Sequence, residues 1–336
     1  MFVYEPLFFM MEHPELKVKV LYFTLEVSAS EKYNEFLCHL LYRLDNIHIS
    51  TTELKSTQNP VDQKILDLIS SDRYKPYIDA FENMVTYIED IKNPTGINKY
   101  CREYALSHGH YVYKKDKRAD DLTGELKDVD VVDYYMPDDE EEHRIIIIDN
   151  ASNLVLESGM KLNENISKMS KYNITLKNQL KYIVVLIQHQ AQSQEGLDNI
   201  KMDRTYPTPD GLADCKTTIR DIDIAIGLYS PFKFGKRTFE NYDITKFKNY
   251  IRFLNIMEDR EYGAGGQTCP LFFDGAVSFF SELPLPNDVN NLNRVYQYIE
   301  RLRGVNTLMF TLNKHFNNNL ARKKIKNYFC RLFSRS

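Results

Sequence analysis

The 336-residue sequence has only five cysteines, and none of them forms a C-x-x-C pair. Cys38, Cys101, Cys215, Cys269 and Cys330 lie far apart. That spacing excludes a disulfide framework and a thiolate zinc site, and it fits reduced, cytosolic usage. Long apolar runs are missing too. Nothing approaches the roughly 20 consecutive apolar residues that span a bilayer, so no membrane partner is expected. The opening MFVYEPLFFMMEHPE is apolar but carries Glu5, lacks a basic start and has no small-residue cleavage site. It makes a poor signal peptide and reads instead as an amphipathic or buried helix ending near Pro14. Excess positive charge is absent as well. The 43 Lys and Arg against 47 Asp and Glu leave a net charge of -4. This argues against a wrapped basic surface, although a ring or cleft can keep positive charge local. No internal repeat is visible.

What is present is a globular composition, 43% hydrophobic and 27% charged, ample for a sizeable core in one large α/β domain or two small ones. Apolar runs of strand length alternate with helix-like segments. VKVLYFTLE (18–26) precedes SASEKYNEFLCHLLYRL. MVTYIED (84–90) precedes TGINKYCREYALSHG. RIIIIDN (144–150) precedes LNENISKMSKYNITLKNQLK, and YIVVLIQ (182–188) leads through a polar loop to DIAIGLYS (223–230). Continuous apolar strands alternating with helices predict an α/β fold with a mainly parallel sheet covered on both faces. NYIRFLNIMED and TCPLFFDGAVSFF flank the Gly-rich REYGAGGQ and predict an antiparallel hairpin at one sheet edge. Residues 110–142 read as an inserted surface hairpin with a solvated DDEEE tip. Residues 285–336 read as a basic C-terminal extension of helical spacing, ending ARKKIKNYFCRLFSRS. It is either a plain exposed tail or a contact for DNA or a partner.

In an open parallel sheet, ligands bind beyond the carboxyl ends of the strands. The residues there are Glu26, Glu89 with Asp90, Asp149 and Gln188. Each has an ordinary reading. Asp149, followed by Asn150, could cap a turn; Glu26 could pair with a nearby lysine; Gln188 could bond loop backbone. Together they form a constellation. Adjacent carboxylates at one sheet edge repel unless a cation sits between them or one is protonated, and magnesium with phosphates is the common solution. Yet the phosphate cradle G-x-x-x-x-G-K-[ST] is absent. GKRT (Gly235–Thr238) lacks the upstream glycine and has Arg237 where the hydroxyl residue belongs, and GAGGQ (Gly263–Gln267) has no lysine.

These segments, in this order over about residues 15–283, resemble the C-terminal RecA-like ATPase domain of DnaB-type replicative helicases, especially phage-like members. Thr24-Leu25-Glu26-Val27 is similar to that family's Ser-Leu-Glu-Met strand end. VTYIED with its Thr-led helix, RIIIIDN as a Walker B strand, VVLIQHQAQSQE, GLADCKTTIRDIDIAIGLYS and LNIMEDREYG match the motifs that follow. The resemblance implies a RecA-like three-layer sandwich and ATP-dependent DNA unwinding with ATP and Mg2+. Glu26 would polarise the attacking water, and Asp149 would hold the water shell of magnesium. Gln188 would sense the γ-phosphate, and Arg260 would reach the neighbouring subunit's nucleotide as an arginine finger. The partners it implies are single-stranded DNA, a hexameric ring of the full-length protein, and a primase or helicase loader, in the cytoplasm of a bacterial or phage-infected cell. DNA contact would fall in loops at about 151–164 and 190–215, with Lys161, Lys201, Arg204 and Lys216 as phosphate ligands.

Two departures stand out. Glu258 replaces the family lysine two residues before Arg260, and the P-loop is missing. We therefore expect the core, residues 1–284, to lack its phosphate cradle, Met1 to be an internal methionine of a longer protein or a mis-started one, and this chain alone to bind nucleotide weakly or not at all. The competing expectation is a non-catalytic RecA-like subunit of a replication complex. A RecA-like recombinase or KaiC-like ATPase fits the contexts of Glu26 and Arg260 less well.

Overall fold

The computed structural model describes residues 2–119, 124–260, 263 and 265–304. Its contacts divide the chain into two compact units, one made of 2–26 and 77–188, the other of 27–76 with the chain from 189 onward.

The first unit is built on a parallel sheet. Its strands are β1 (Lys17–Thr24), β2 (Val85–Ile88), β5 (Glu142–Asp149) and β6 (Ile183–Leu186), in the order β2-β1-β5-β6. Ile145 to Ile148 are all at most 2% exposed, which explains the unbroken apolar run: both faces of β5 are covered, so no position is left for a polar residue. One helix, Pro94–Ser107, begins with proline at its first turn and buries Ile97, Cys101 and Ala105, a four-residue spacing that makes one apolar stripe. It packs against the helix Leu162–Leu180, which buries Ile166, Met169, Leu176 and Leu180 and ends at Lys181 in the left-handed region. The helix Tyr4–Glu12 buries Pro6 and Leu7 and stops two residues before Pro14.

Between β2 and β5 the chain makes a separate antiparallel ribbon of β3 (Gly109–Ala119) and β4 (Leu126–Pro137). Its base is fixed from several directions. The buried Tyr135 hydroxyl donates to the Ala105 carbonyl at 2.7 Å. Arg144, 4% exposed, donates to the Tyr135 hydroxyl at 2.7 Å and to the His108 carbonyl at 2.9 Å, and pairs with Glu142 at 2.7 Å. The acidic run DDEEE (138–142) lies between β4 and β5 rather than at the ribbon's tip, where Lys17 pairs with Asp139 at 2.5 Å. The run follows the ribbon because β4 extends to Pro137 before the acidic residues begin.

The second unit carries an antiparallel sheet, in the order β12-β11-β10-β7, of β7 (Ile224–Tyr229), β10 (Ile251–Asp259), β11 (Thr268–Asp274) and β12 (Phe279–Glu282). Two-residue strands β8 (Thr238–Phe239) and β9 (Tyr242–Asp243) pair beside it. Two details differ from the sequence reading. DIAIGLYS pairs antiparallel with β10 instead of continuing the parallel alternation. TCPLFFDGAVSFF is not one strand but two, because Asp274 to Ser278 turn, with Ser278 at φ 49°. Aromatic side chains fill this core: Tyr229, Tyr242, Phe247, Phe253 and Phe272 pack with Ile251, Leu292 and Ile299. The last three reach it from β10 and from the helix Val289–Gly304. The helix Ala29–Asp45 starts on Ser28, whose hydroxyl accepts from the Glu31 amide at 3.2 Å, and stops at Asn46 with φ 57°. The tail expected over 285–336 is described only to residue 304; ARKKIKNYFCRLFSRS lies outside the described residues.

Candidate functional site

The carboxyl edge of the parallel sheet gathers three of the expected residues in one unit. Register places Asp149 beside Thr24, so β1 and β5 end level. The ladder then continues past the strands. The Leu25 amide donates to the Asp149 carbonyl at 2.8 Å, and the Ala151 amide donates to the Ile187 carbonyl at 2.9 Å. These bonds fix the backbone on which Glu26, Asp149 and Gln188 stand.

Asp149 is half-buried, and Tyr22 donates its hydroxyl to Asp149 Oδ2 at 2.5 Å. Tyr22 and Thr24 share one face of β1, two residues apart, which is why the phenol reaches the strand-end carboxylate. Glu26 is exposed, yet one of its oxygens is held. Asn150 Nδ2 donates to Glu26 Oε2 at 2.6 Å and Asn153 Nδ2 donates to the same oxygen at 3.3 Å. Among the described residues, no lysine pairs with Glu26 and nothing bonds Oε1. The turn cap after β5 is Asn150 and not Asp149: its Oδ1 accepts from the Ser152 amide at 3.1 Å and opens the short turn Ala151–Asn153. The peptide between Asp149 and Asn150 is cis. Gln188 is half-buried just past β6.

The loop after Asp149 is anchored by Glu157. Its Oε1 accepts from the Thr95 amide at 2.7 Å and from Asn93 Nδ2 at 3.0 Å; its Oε2 takes Lys168 Nζ at 2.5 Å. Burial alone would raise the Glu157 carboxyl, but the bonds from Lys168, Thr95 and Asn93 outweigh it and bring the group down to about 2. An open cleft of about 450 Å³ lies between this loop and the end of β2, lined by Asp90, Lys92, Asn93 and residues 155–158. Asp90 is exposed there.

Arg260 stands in the other unit, just past β10. Its Nη1 donates to the Arg220 carbonyl at 2.6 Å and its Nη2 to the Ile219 carbonyl at 3.0 Å, while Nε lies 3.7 Å from Glu258 Oε1. The four candidate DNA-contact cations are all exposed. Lys161 lies in the first unit before the helix Leu162–Leu180; Lys201, Arg204 and Lys216 lie in the second, on the segment between β6 and β7. Among the described residues none of the four is in an ion pair. That segment is itself held: Ala191 bonds the Gly211 carbonyl, Thr205 and Tyr229 share a buried hydroxyl contact at 2.8 Å, and Lys233 pairs with Glu195 at 2.5 Å.

The fit to magnesium and nucleotide is incomplete within this chain. Among the described residues no cluster of three or more His, Cys, Asp or Glu could hold a metal ion, and the sequence contains no G-x-x-x-x-G-K-[ST]. Tyr22, Asn150 and Asn153 are the parts of the site that sequence reading missed. The only available signal was a tyrosine in a strand otherwise aliphatic at its end.

The architecture is an α/β fold with a parallel central sheet and antiparallel hairpins, of the RecA-like ATPase type. Among solved structures, the chain resembles the ATPase domain of a DnaB-like helicase at 14% identity, over 79% of this chain and 75% of that one, with a TM-score of 0.55. At that identity the likeness speaks to fold alone. No protein-family model matches the sequence, and no curated protein does.

Proposed function

We propose that this chain is the RecA-like portion of a nucleotide-driven motor acting on single-stranded DNA, of the ring-forming replicative helicase kind. The observation that carries the reading is the held Glu26: a carboxylate at the carboxyl edge of a parallel sheet, with Oε2 fixed by Asn150 and Asn153 and Oε1 open. A water-orienting base needs that arrangement, since phosphoryl transfer is catalysed mostly by positioning and by charge. The fold shared with that helicase ATPase domain supports it. Asp149, steadied by Tyr22, sits level with that base. Nucleotide and magnesium would need a phosphate-binding segment from outside these 336 residues. The exposed cations Lys161, Lys201, Arg204 and Lys216 suit backbone contact with a polyanion.

A second reading, a non-catalytic subunit of a replication assembly that also engages a primase or loader, is favoured by the missing cradle and by Glu258 beside Arg260. The two are separated by one comparison. The chain is assayed alone and joined to its upstream coding sequence. Alone, millimolar ATP should leave the melting temperature unchanged. Joined, it should show DNA-stimulated hydrolysis that Glu26→Gln abolishes while nucleotide still binds. Hydrolysis surviving Glu26→Gln would remove the role assigned to Glu26. An upstream sequence encoding no phosphate cradle would favour the non-catalytic subunit.

A further inference from the structure

The outer half of the β3–β4 ribbon is exposed and ordered in a pattern that the motor reading does not use. Beyond the bulge at Val112/Tyr113, residues directly opposite across the ribbon share a face. One face therefore carries Tyr113 with Val132, Lys115 with Asp130, Lys117 with Asp128, and Ala119 with Leu126. Its two ends are apolar and open to solvent: Tyr113 is 58% exposed, Val132 49% and Leu126 68%. The middle is two basic–acidic pairs, of which Lys115 and Asp130 already touch at 2.8 Å. The stretch is about 20 Å long. A two-stranded ribbon with neither face covered is marginal in water, and exposed apolar pairs at fixed spacing mark a contact surface.

Charge decides what covers it. Residues 109–137 hold five basic and seven acidic residues, so the ribbon as a whole repels a polyanion despite its tyrosines. Edge-to-edge pairing is blunted by the charged side chains along both strands. The face, in contrast, complements itself. Consider two copies laid face to face about a twofold axis running along the strands. β3 of each copy then lies over β4 of the other at the same level. Lys115 faces Asp130, Lys117 faces Asp128, Tyr113 faces Val132 and Ala119 faces Leu126. A twofold across the strands would instead set Lys115 over Lys117 and Asp130 over Asp128.

We propose that this ribbon face is an isologous self-association surface whose occupant is the same face of a second copy of this chain. The proposal does not depend on the motor reading. Sedimentation equilibrium of the full chain tests it, with melting temperature as the control for folding. Wild type should self-associate with a twofold step in mass. Lys115→Asp and Asp130→Lys should each weaken that step at least about tenfold, because like charges then face each other across the contact. Mixing the two single variants should restore it as a heterodimer, and the double exchange should restore it in one chain. Tyr113→Ser with Val132→Ser should abolish it. A wild-type chain that shows no such step, single variants that associate like wild type, or a mixture as weak as its components would each overturn the proposal. So would retention of a single-stranded oligonucleotide that Tyr113→Ser with Val132→Ser releases, since this would assign the face to nucleic acid.

Discussion

Asn150 Nδ2 donates to Glu26 Oε2 across 2.6 Å, joining the residue after β5 to the residue two past β1. Asn150 is 2% exposed and its other amide atom caps the next turn. One buried side chain thus aims the proposed base and starts the loop beyond it. Asn150→Ala should lower stability by about 1–3 kcal/mol, the cost of removing a buried hydrogen-bonding group with both atoms engaged. Asn150→Asp should cost more near neutral pH, where two carboxylates would face each other, and the excess should shrink on acidification. Chemical denaturation across pH reads both. Equal loss for the two variants at neutral pH would refute the contact.

Glu157 links the loop after Asp149 to the start of the helix Pro94–Ser107. Its carboxyl is held down to about 2 by Lys168, Thr95 and Asn93 against the opposing effect of burial. A depressed carboxyl contributes stability that is present above its unfolded value, about 4.3, and is lost as pH falls toward the folded value. Glu157→Gln should therefore be less stable than wild type at neutral pH, by roughly 1 kcal/mol after solvent screening. The two proteins should converge as pH drops from about 4 to 2. A gap that stays constant through that window would place the stabilisation elsewhere.

How much of this was legible in the sequence depends on the range of the interaction. The parallel strands were readable because burial on both faces of β5 demands an unbroken apolar run, and RIIIIDN shows one. Glu26, Asp149 and Gln188 followed from where such strands end. Their partners were not readable: Tyr22 reaches Asp149, and Asn150 reaches Glu26, over more than 120 residues of chain. β7 was read as parallel because Ile224, Ala225 and Ile226 look continuous, but alternate positions from Ala225 to Tyr229 are buried while Leu228 is 51% exposed, the period of a half-covered antiparallel strand. The break between β11 and β12 did carry a local signal, Asp274-Gly275, inside an otherwise apolar run.

His48 Nε2 meets Asp274 Oδ2 at 2.8 Å, and Asp274 is 2% exposed. Burial would lower the imidazole, but the bond to Asp274, its charge and that of Glu53 prevail and raise it. A raised histidine contributes stability that is full below its unfolded value, about 6.5, and is lost as pH rises through the folded value. His48→Gln should be less stable than wild type at pH 5 and approach it in mildly alkaline solution. Melting temperatures of both proteins over that range check the sign; a gap that widens with pH would reverse it.

Gly109 begins the ribbon where there is no room for a side chain. A Cβ there would lie 2.3 Å from the Tyr135 hydroxyl and 2.6 Å from the Met136 carbonyl, and that carbonyl is backbone that cannot swing aside. Gly109→Ala should cost about 1–3 kcal/mol, as overpacking does, and should loosen the Tyr135–Arg144 anchor. Gly211 offers the contrast. Its Cβ would meet Gln190 Oε1 at 2.1 Å, the end of a flexible side chain that can move away at the expense of its 3.3 Å bond to the Thr208 carbonyl. Gly211→Ala should cost less than Gly109→Ala in the same denaturation assay, and the reverse order would show that the ribbon base yields more readily than its packing indicates.

Arg260 donates to two carbonyls of the turn at 217–220, so its guanidinium has a structural role beside any role across a subunit boundary. Arg260→Ala should lower stability by about 1–2 kcal/mol. Arg260→Lys should recover only part of it, because an ammonium cannot span two carbonyls as the planar fork does. Glu258, 41% exposed and 3.7 Å from Arg260, should matter little to folding. Glu258→Lys should therefore change stability by no more than about 0.5 kcal/mol. Thermal melts of the three variants separate these contributions. If Glu258→Lys destabilised the chain as much as Arg260→Ala, the ion pair rather than the carbonyl contacts would be what holds this corner of the second unit.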